Sequence, residues 1–143
     1  MRIVNRRAKF DYKLEENRYE AGLSLIGAEA KALRGGRGDL SASVAKIVGN
    51  EAWLINSNVP SPDPPLNYSP TRSRKLLLHK DEIISISTRM KQRKLTLVAT
   101  SMYTKGRLIK VELALGKPKR KFEKKETIKR KDIERELERE LKS

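Results

Sequence analysis

Few residues in this chain have side chains suited to chemistry, and most of those are cations. The single histidine, His79, directly follows the run Arg72-Ser73-Arg74-Lys75-Leu76-Leu77-Leu78. Cations placed just ahead of an apolar triplet suit phosphate contact, with the leucines anchoring the segment; the plainer reading is a solvated loop edge. His79 offers a polar or stacking contact to a nucleotide, against an ordinary surface or core histidine. As a general base it has no evident partner to orient it. Glu20 and Glu29 are acids in a basic protein. A carboxylate accepts hydrogen bonds from base amino groups and ribose hydroxyls, or it orients an arginine; the plainer expectation is pairing within the chain, with Lys31 or Arg34. Phe122 stands alone among Lys121, Lys124 and Lys125. An aromatic with no core to join suits base stacking. Tyr12, Tyr19 and Trp53 fall in predicted strands and read as core.

These inventories exclude much. With no Cys there is no thiol nucleophile and no Cys-ligated zinc, and one His cannot build a multi-His metal site. No Walker loop, GxGxxG run, metal-spaced carboxylate set or Ser/His/Asp arrangement is present, so no catalytic residue, metal or cofactor is expected. What remains is charge: 33 Lys+Arg against 18 Asp+Glu give +15 over 143 residues. Such an excess predicts a polyanionic partner, nucleic acid ahead of an anionic membrane surface. No apolar run approaches the ~18 residues needed to span a bilayer. The basic start, Met1 to Arg7, is not followed by an apolar region, so a cytoplasmic protein is expected.

The elements that must position these residues follow from pattern. Five of six prolines lie between Val59 and Pro70, which marks an extended loop dividing the chain. Before it, Phe10–Leu14 and Tyr19–Ser24 read as short strands around a polar turn. Ala28–Leu33 reads as a helix stopped by Gly35-Gly36, and 43–48 and 52–55 as a hairpin around Gly49-Asn50. After it, Lys80–Arg93 has helical spacing, while Leu95–Tyr103 and Leu108–Leu115 alternate like half-buried strands. Residues 1–115 carry 21 basic and 11 acidic groups. Apolar residues then nearly vanish, and 117–131 holds 9 basic and 2 acidic groups. This predicts a domain over 1–115 and a tail over 116–143 that does not pack by itself. Ile133, Leu137 and Leu141 make a one-sided stripe in the tail, with Asp132–Arg135 and Glu138–Lys142 as helix-surface pairs. The predicted class is mainly β with short helices (α+β): a small antiparallel OB-like β-barrel with flanking helices and a flexible basic C-terminal tail.

Several stretches together resemble the SmpB family of SsrA-binding proteins, partners of transfer-messenger RNA (tmRNA) in bacterial ribosome rescue. They are NRRAKFDY (5–12), YEAGLSLIGAEAKALRGGR (19–37), SPTRSRKLLLHKDEI (69–83), LTLVATSMYTKGRLIKVELALGK (95–117) and FEKKETIKRKDIERE (122–136). The resemblance covers essentially the whole chain. It implies a non-enzymatic monomer whose barrel holds the elbow of the tRNA-like domain of tmRNA. By the same resemblance, Glu20, Leu77 and His79 match tmRNA-binding positions, Lys31, Arg34 and Lys75 support the phosphate backbone, and Asn5 belongs to an RNA-contacting N-terminal segment. The tail, with Lys117, Lys121, Phe122, Glu123, Lys124, Lys125, Lys129 and Arg130, would enter the empty mRNA channel and decoding centre of the small subunit and fold there as a helix. The elongation factor carrying aminoacylated tmRNA would be an indirect partner. Phe10 stands where the family usually has His, Glu123-Lys124-Lys125 replaces Asp-Lys-Arg, and the 116–121 link is two residues longer than usual. On charge alone, a general RNA-binding or ribosome-associated protein remains open, an RNA-processing enzyme lacks its constellation, and a membrane-surface binder is disfavoured by the acids flanking the narrow stripe.

Overall fold

Strict alternation decides where the strands face. In the last strand Ile109, Val111, Leu113 and Leu115 are buried in the main apolar cluster, while Lys110 and Glu112 point the other way. The computed structural model describes residues 1–142. The elements run β1 (Arg2–Val4), α1 (Ala8–Asp11), β2 (Tyr12–Leu23), α2 (Gly27–Arg34), β3 (Val44–Val48), β4 (Glu51–Ile55), β5 (Arg74–Leu77), α3 (Lys80–Arg93), β6 (Thr96–Lys105), β7 (Leu108–Pro118) and α4 (Lys121–Lys142). Ser143 and the Leu141 and Lys142 side chains, which complete the expected stripe and the last tail pair, lie outside the described residues.

All strands form one antiparallel sheet in the order β1-β6-β7-β2-β5-β4-β3. The sheet curls until β3 lies against β6 without joining its ladder, so the barrel is OB-like but not closed by hydrogen bonds. The concave side holds the core: Ala21 and Leu23, Ala52 and Leu54, Leu76, Leu97, Met102 and the inward residues of β7. Helices α2 and α3 seal it with Ala32, Leu33 and Ile86. Gly36 follows α2 at φ 79°, a backbone turn that favours glycine. The β3–β4 turn places Gly49 at φ 63°, as a tight hairpin requires.

Three features differ from the sequence reading. Phe10 and Asp11 are not strand but belong to α1, and β2 is one strand rather than two around a turn. The polar stretch Glu15-Glu16-Asn17 is absorbed as a bulge: Leu14 faces Gly116 and Arg18 faces Ala114, so two extra residues sit on β2. The Arg18 guanidinium bonds the carbonyls of Glu15 and Asn17 and ties the bulge down. Strands β1 and β5 escape pattern reading because they are three and four residues long. Strand β7 runs to Pro118, past Leu115, because Gly116, Lys117 and Pro118 still pair with Leu14, Lys13 and Tyr12.

Leu113 is 0% exposed at the centre of this sheet. Leu113→Ala is expected to lower unfolding free energy by ~2–5 kcal/mol, read in urea as a lower midpoint with an unchanged slope.

Candidate nucleic-acid interface

The convex side of the sheet is where charge collects. Register aligns Arg2, Tyr103, Lys110, Gly22 and Leu77 across five strands. A neighbouring row carries Val4, Ser101, Glu112 and Glu20, and a third carries Lys75, Trp53 and Lys46. Glu20 accepts a hydrogen bond from the Tyr103 hydroxyl and pairs with Lys105 Nζ at 3.1 Å. These donors hold its carboxyl below the usual carboxylate range. Burial and the same carboxylate push the Tyr103 phenol up to about 12, so it stays a donor at physiological pH. The Arg2 guanidinium lies 5.7 Å from the Tyr103 ring centroid. A side chain at Gly22 would meet Leu77 Cβ at 3.2 Å, so the glycine lets Leu77 lie across β2. Leu77 is 53% exposed there. His79 is exposed at the start of α3, where its backbone N–H bonds Glu82 Oε1 at 3.1 Å.

The structure therefore brings Glu20, Leu77 and Lys75 onto one face, with His79 two residues beyond Leu77. Lys75 contacts Glu51 at 3.7 Å. Lys31 and Arg34 lie exposed on α2, and Arg34 Nη2 donates to the Arg107 carbonyl at 2.9 Å, which tethers α2 to the β6–β7 turn. Asn5 is placed differently: it is buried, Nδ2 donates to the Ala99 carbonyl at 2.8 Å, and Oδ1 accepts from the Arg7 N–H. It joins the end of β1 to β6 and starts α1. Sequence reading placed Trp53 in the core and passed over Tyr103. Trp53 is half-buried on the convex side opposite Lys75, and Tyr103 sits beside Glu20. Their flanking residues, inward Ala52 and Leu54 around Trp53, were the available signal, but such parity is visible only once the register is known.

The cation cluster before the leucines divides. Arg74 is 0% exposed and points inward with Leu76. Its Nε donates to Glu29 Oε2 at 2.7 Å, and Nη1 and Nη2 reach the Ser57 and Pro70 carbonyls at 2.9 Å each. Arg72 bonds Glu29 as well, with Nε to Oε2 at 2.9 Å. Neither cation is presented to a phosphate, and Glu29 pairs with Arg72 and Arg74 rather than with Lys31 or Arg34. Burial pushes the Glu29 carboxyl up, but bonds from Arg72, the Ile26 N–H and Arg74 outweigh this and hold it below its ordinary value. The Tyr68 hydroxyl completes the knot by donating to the Val59 carbonyl at 2.7 Å. The proline-rich loop, α2 and β5 are thus pinned at one point.

The tail meets the body at Asp11. Its carboxylate pairs with Arg7 at 3.2 Å and with Lys124 at 3.3 Å, and its carbonyl accepts from the Lys119 N–H at 2.8 Å. Arg7 and Lys124 also lie 5.6 and 5.8 Å from the Phe10 ring centroid. Phe122, Ile128, Ile133 and Leu137 are exposed along α4. Lys117, Lys121, Lys125, Lys129 and Arg130 are exposed, and Glu123 is half-buried. Among the described residues no His/Cys/Asp/Glu grouping could hold a metal, and no helix is long and apolar enough to cross a membrane.

An OB-like antiparallel sheet with a cationic, aromatic-bearing convex face defines a small nucleic-acid-binding type of module. The SmpB protein family model matches residues 2–143, and the chain belongs to that family. It is 41% identical over 141 residues to an SsrA-binding protein of Dehalococcoides mccartyi, covering 97% of this chain and 81% of that one. It is 44% identical over 144 residues to an SsrA-binding protein of Paraburkholderia xenovorans, covering 99% and 97%. A solved structure from "tmRNA-SmpB: a journey to the center of the bacterial ribosome" is similar at TM-score 0.69 and 37% identity, over 89% of this chain and 94% of that one.

Glu29→Gln leaves Arg74 buried without its carboxylate and should cost ~3–5 kcal/mol. Because the Glu29 carboxyl is held below its unfolded value of ~4.3, its stabilisation is present above that pH and is lost as pH falls through the lower folded value. Denaturation of both proteins across this range should show an acid-side loss in the parent that Glu29→Gln lacks.

Proposed function

We propose that this chain is a non-catalytic, cytoplasmic tmRNA-binding protein that acts in trans-translation. The convex face binds the tRNA-like domain of tmRNA, with Glu20, Leu77 and His79 making specific contacts. Lys31, Arg34 and Lys75 meet the phosphate backbone, and Asn5 acts by holding β1 and α1 in place. Tyr103 and Lys105 orient the Glu20 carboxylate. The observation that carries this reading is that carboxylate itself: an acid exposed on the face of a +15 protein, held ionised by two donors. A purely electrostatic RNA binder gains nothing from it, whereas a site that accepts hydrogen bonds from base amino groups or 2′-hydroxyls needs it. Family membership and the named functions of its relatives support the same assignment.

Residues 1–115, continued by β7, form the RNA-binding body, and 116–143 form the tail that enters the empty mRNA channel and decoding centre of a stalled ribosome. Lys117, Lys121, Lys124, Lys125, Lys129 and Arg130 supply phosphate contacts, while Phe122 is placed to stack. The switch from nine cations in 117–131 to an acidic tip concentrates the electrostatic grip near the body.

Salt-titrated binding to tmRNA tests the face. Glu20→Ala and His79→Ala should each weaken binding about tenfold or more, ~1.4 kcal/mol, with the salt slope unchanged. Tighter binding by Glu20→Ala would instead mark general RNA binding.

Truncation after Arg120 keeps every strand pair of β7 and removes α4. It should leave tmRNA affinity near the parent value and abolish peptide tagging on stalled ribosomes; equal loss of both would exclude the two-part assignment.

A further inference from the structure

Helix α4 starts where its own sequence argues against a start. Arg120, Lys121, Lys124 and Lys125 surround its first turn, and Glu123 is the acid there. The N-terminal end of a helix is the positive pole of its macrodipole, so cations there oppose helix formation. The helix nevertheless begins at Lys121, and the compensating groups lie on the body.

The Lys119 N–H donates to the Asp11 carbonyl, one step past the Tyr12–Pro118 pair of the β2–β7 ladder, so the chain enters α4 from a fixed point. The Lys124 N–H then closes the first helical turn on the Arg120 carbonyl at 3.1 Å. Its ammonium reaches the Asp11 carboxylate and also lies against the Phe10 ring, which Arg7 flanks as well. One carboxylate therefore neutralises a cation at the place where the dipole penalises it. Burial raises the Asp11 carboxyl, but hydrogen bonds and charge from Arg7 and Lys124 outweigh this and hold it below its ordinary value. Farther along, Lys131 lines a groove with Arg6, Lys9 and Arg18. Like charges do not hold a helix down, so α4 is pinned at its root rather than along its length. Exposed ion pairs and cation–π contacts each shift an equilibrium by roughly fivefold at most. A clasp built from them biases the tail and still releases it.

We propose that Asp11, with Phe10, is the positioning residue of the tail: it clasps Lys124, nucleates α4 on the body and sets the direction in which the helix leaves. This role rests on the assignment of the tail to the mRNA channel. It adds that the root of the helix is built before the ribosome is met, so less ordering remains to be done on arrival. Asp11 acts through Lys124 and touches no RNA in this role.

Hydrogen exchange on the full-length protein tests the clasp. Asp11→Asn should speed exchange of the Lys124, Lys125 and Ile128 amides several-fold and leave Leu113 unchanged. Lys124→Gln should also speed it. A tail that ignores the body predicts the opposite sign, because removing a cation from the first turn favours a free helix. The double variant should exceed neither single by much, since both remove one interaction. Asp63→Asn removes an equal charge from the proline-rich loop and should change nothing in α4. Unchanged exchange in Asp11→Asn, slower exchange in Lys124→Gln, or additive effects would each overturn the clasp.

Peptide tagging on stalled ribosomes tests the role. Asp11→Asn should bind tmRNA at least as tightly as the parent but tag several-fold more slowly, while Asp11→Glu keeps the anion and should tag near the parent rate. If truncation after Arg120 abolishes tagging but Asp11→Asn tags normally, the positioning role falls and the tail assignment stands. If the truncated chain tags normally, the tail assignment falls and the positioning role with it.

Discussion

Burying one carboxylate with two guanidinium groups organises this protein. Glu29 is 0% exposed, and so is Arg74. Neither charge is tolerable in the interior alone, and each is satisfied only if α2, the 57–70 loop and β5 all arrive in register. Arg74 alone ties Glu29 of α2 to Ser57 and Pro70 at the two ends of that loop. The position of β5 decides what lies on the convex face. With Arg74 and Leu76 turned inward, Lys75 and Leu77 must turn outward, and a one-residue slip would exchange them. The outward residues of β5 are therefore presented by an ionic knot on the opposite side of the sheet.

The convex face combines two kinds of electrostatics. Cations such as Lys110, Lys105 and Arg2 provide non-specific attraction, while Glu20 works against it. A protein with this net charge has no general use for a carboxylate there, and the Tyr103 hydroxyl and Lys105 ammonium spend their bonding capacity to keep it ionised and oriented. Under the proposed function, that arrangement exchanges affinity for discrimination. The tail follows another logic. Its side chains are mostly exposed, it leans on the body through Asp11 and Phe10, and its cations form a graded ladder rather than a shaped site.

Much of the fold was legible in the chain. The helix over Lys80–Arg93, the hairpin around Gly49-Asn50 and the strands on either side of Gly106 were all evident, because each rests on local periodicity or turn chemistry. The exceptions depend on contacts beyond the local segment. Phe10 and Asp11 form a short helix whose first turn bonds the Asn5 carbonyl and onto which the tail docks, the latter a contact of long sequence separation. The Glu15-Glu16-Asn17 stretch resembles a turn by composition, yet Lys13 and Leu14 keep pairing beyond it, so it bulges instead. Trp53 has a core residue's composition and a surface residue's parity.

The sequence by itself determined the protein's charge, its family resemblance and the change near residue 116 from alternating apolar segments to a basic, apolar-poor stretch. Those properties depend on composition and short-range pattern. Only the tertiary structure decided which charges are available. Arg72, Arg74 and Lys75 are adjacent cations of one run, but strand parity sends Arg74 into the core to meet Glu29, while Lys75 faces outward. Glu20 and Tyr103, more than eighty residues apart, become hydrogen-bonded neighbours through the β2–β7–β6 register. Pairing across a sheet is a non-local contact, so its consequences for exposure, ionisation and recognition cannot be written in any single segment of the chain.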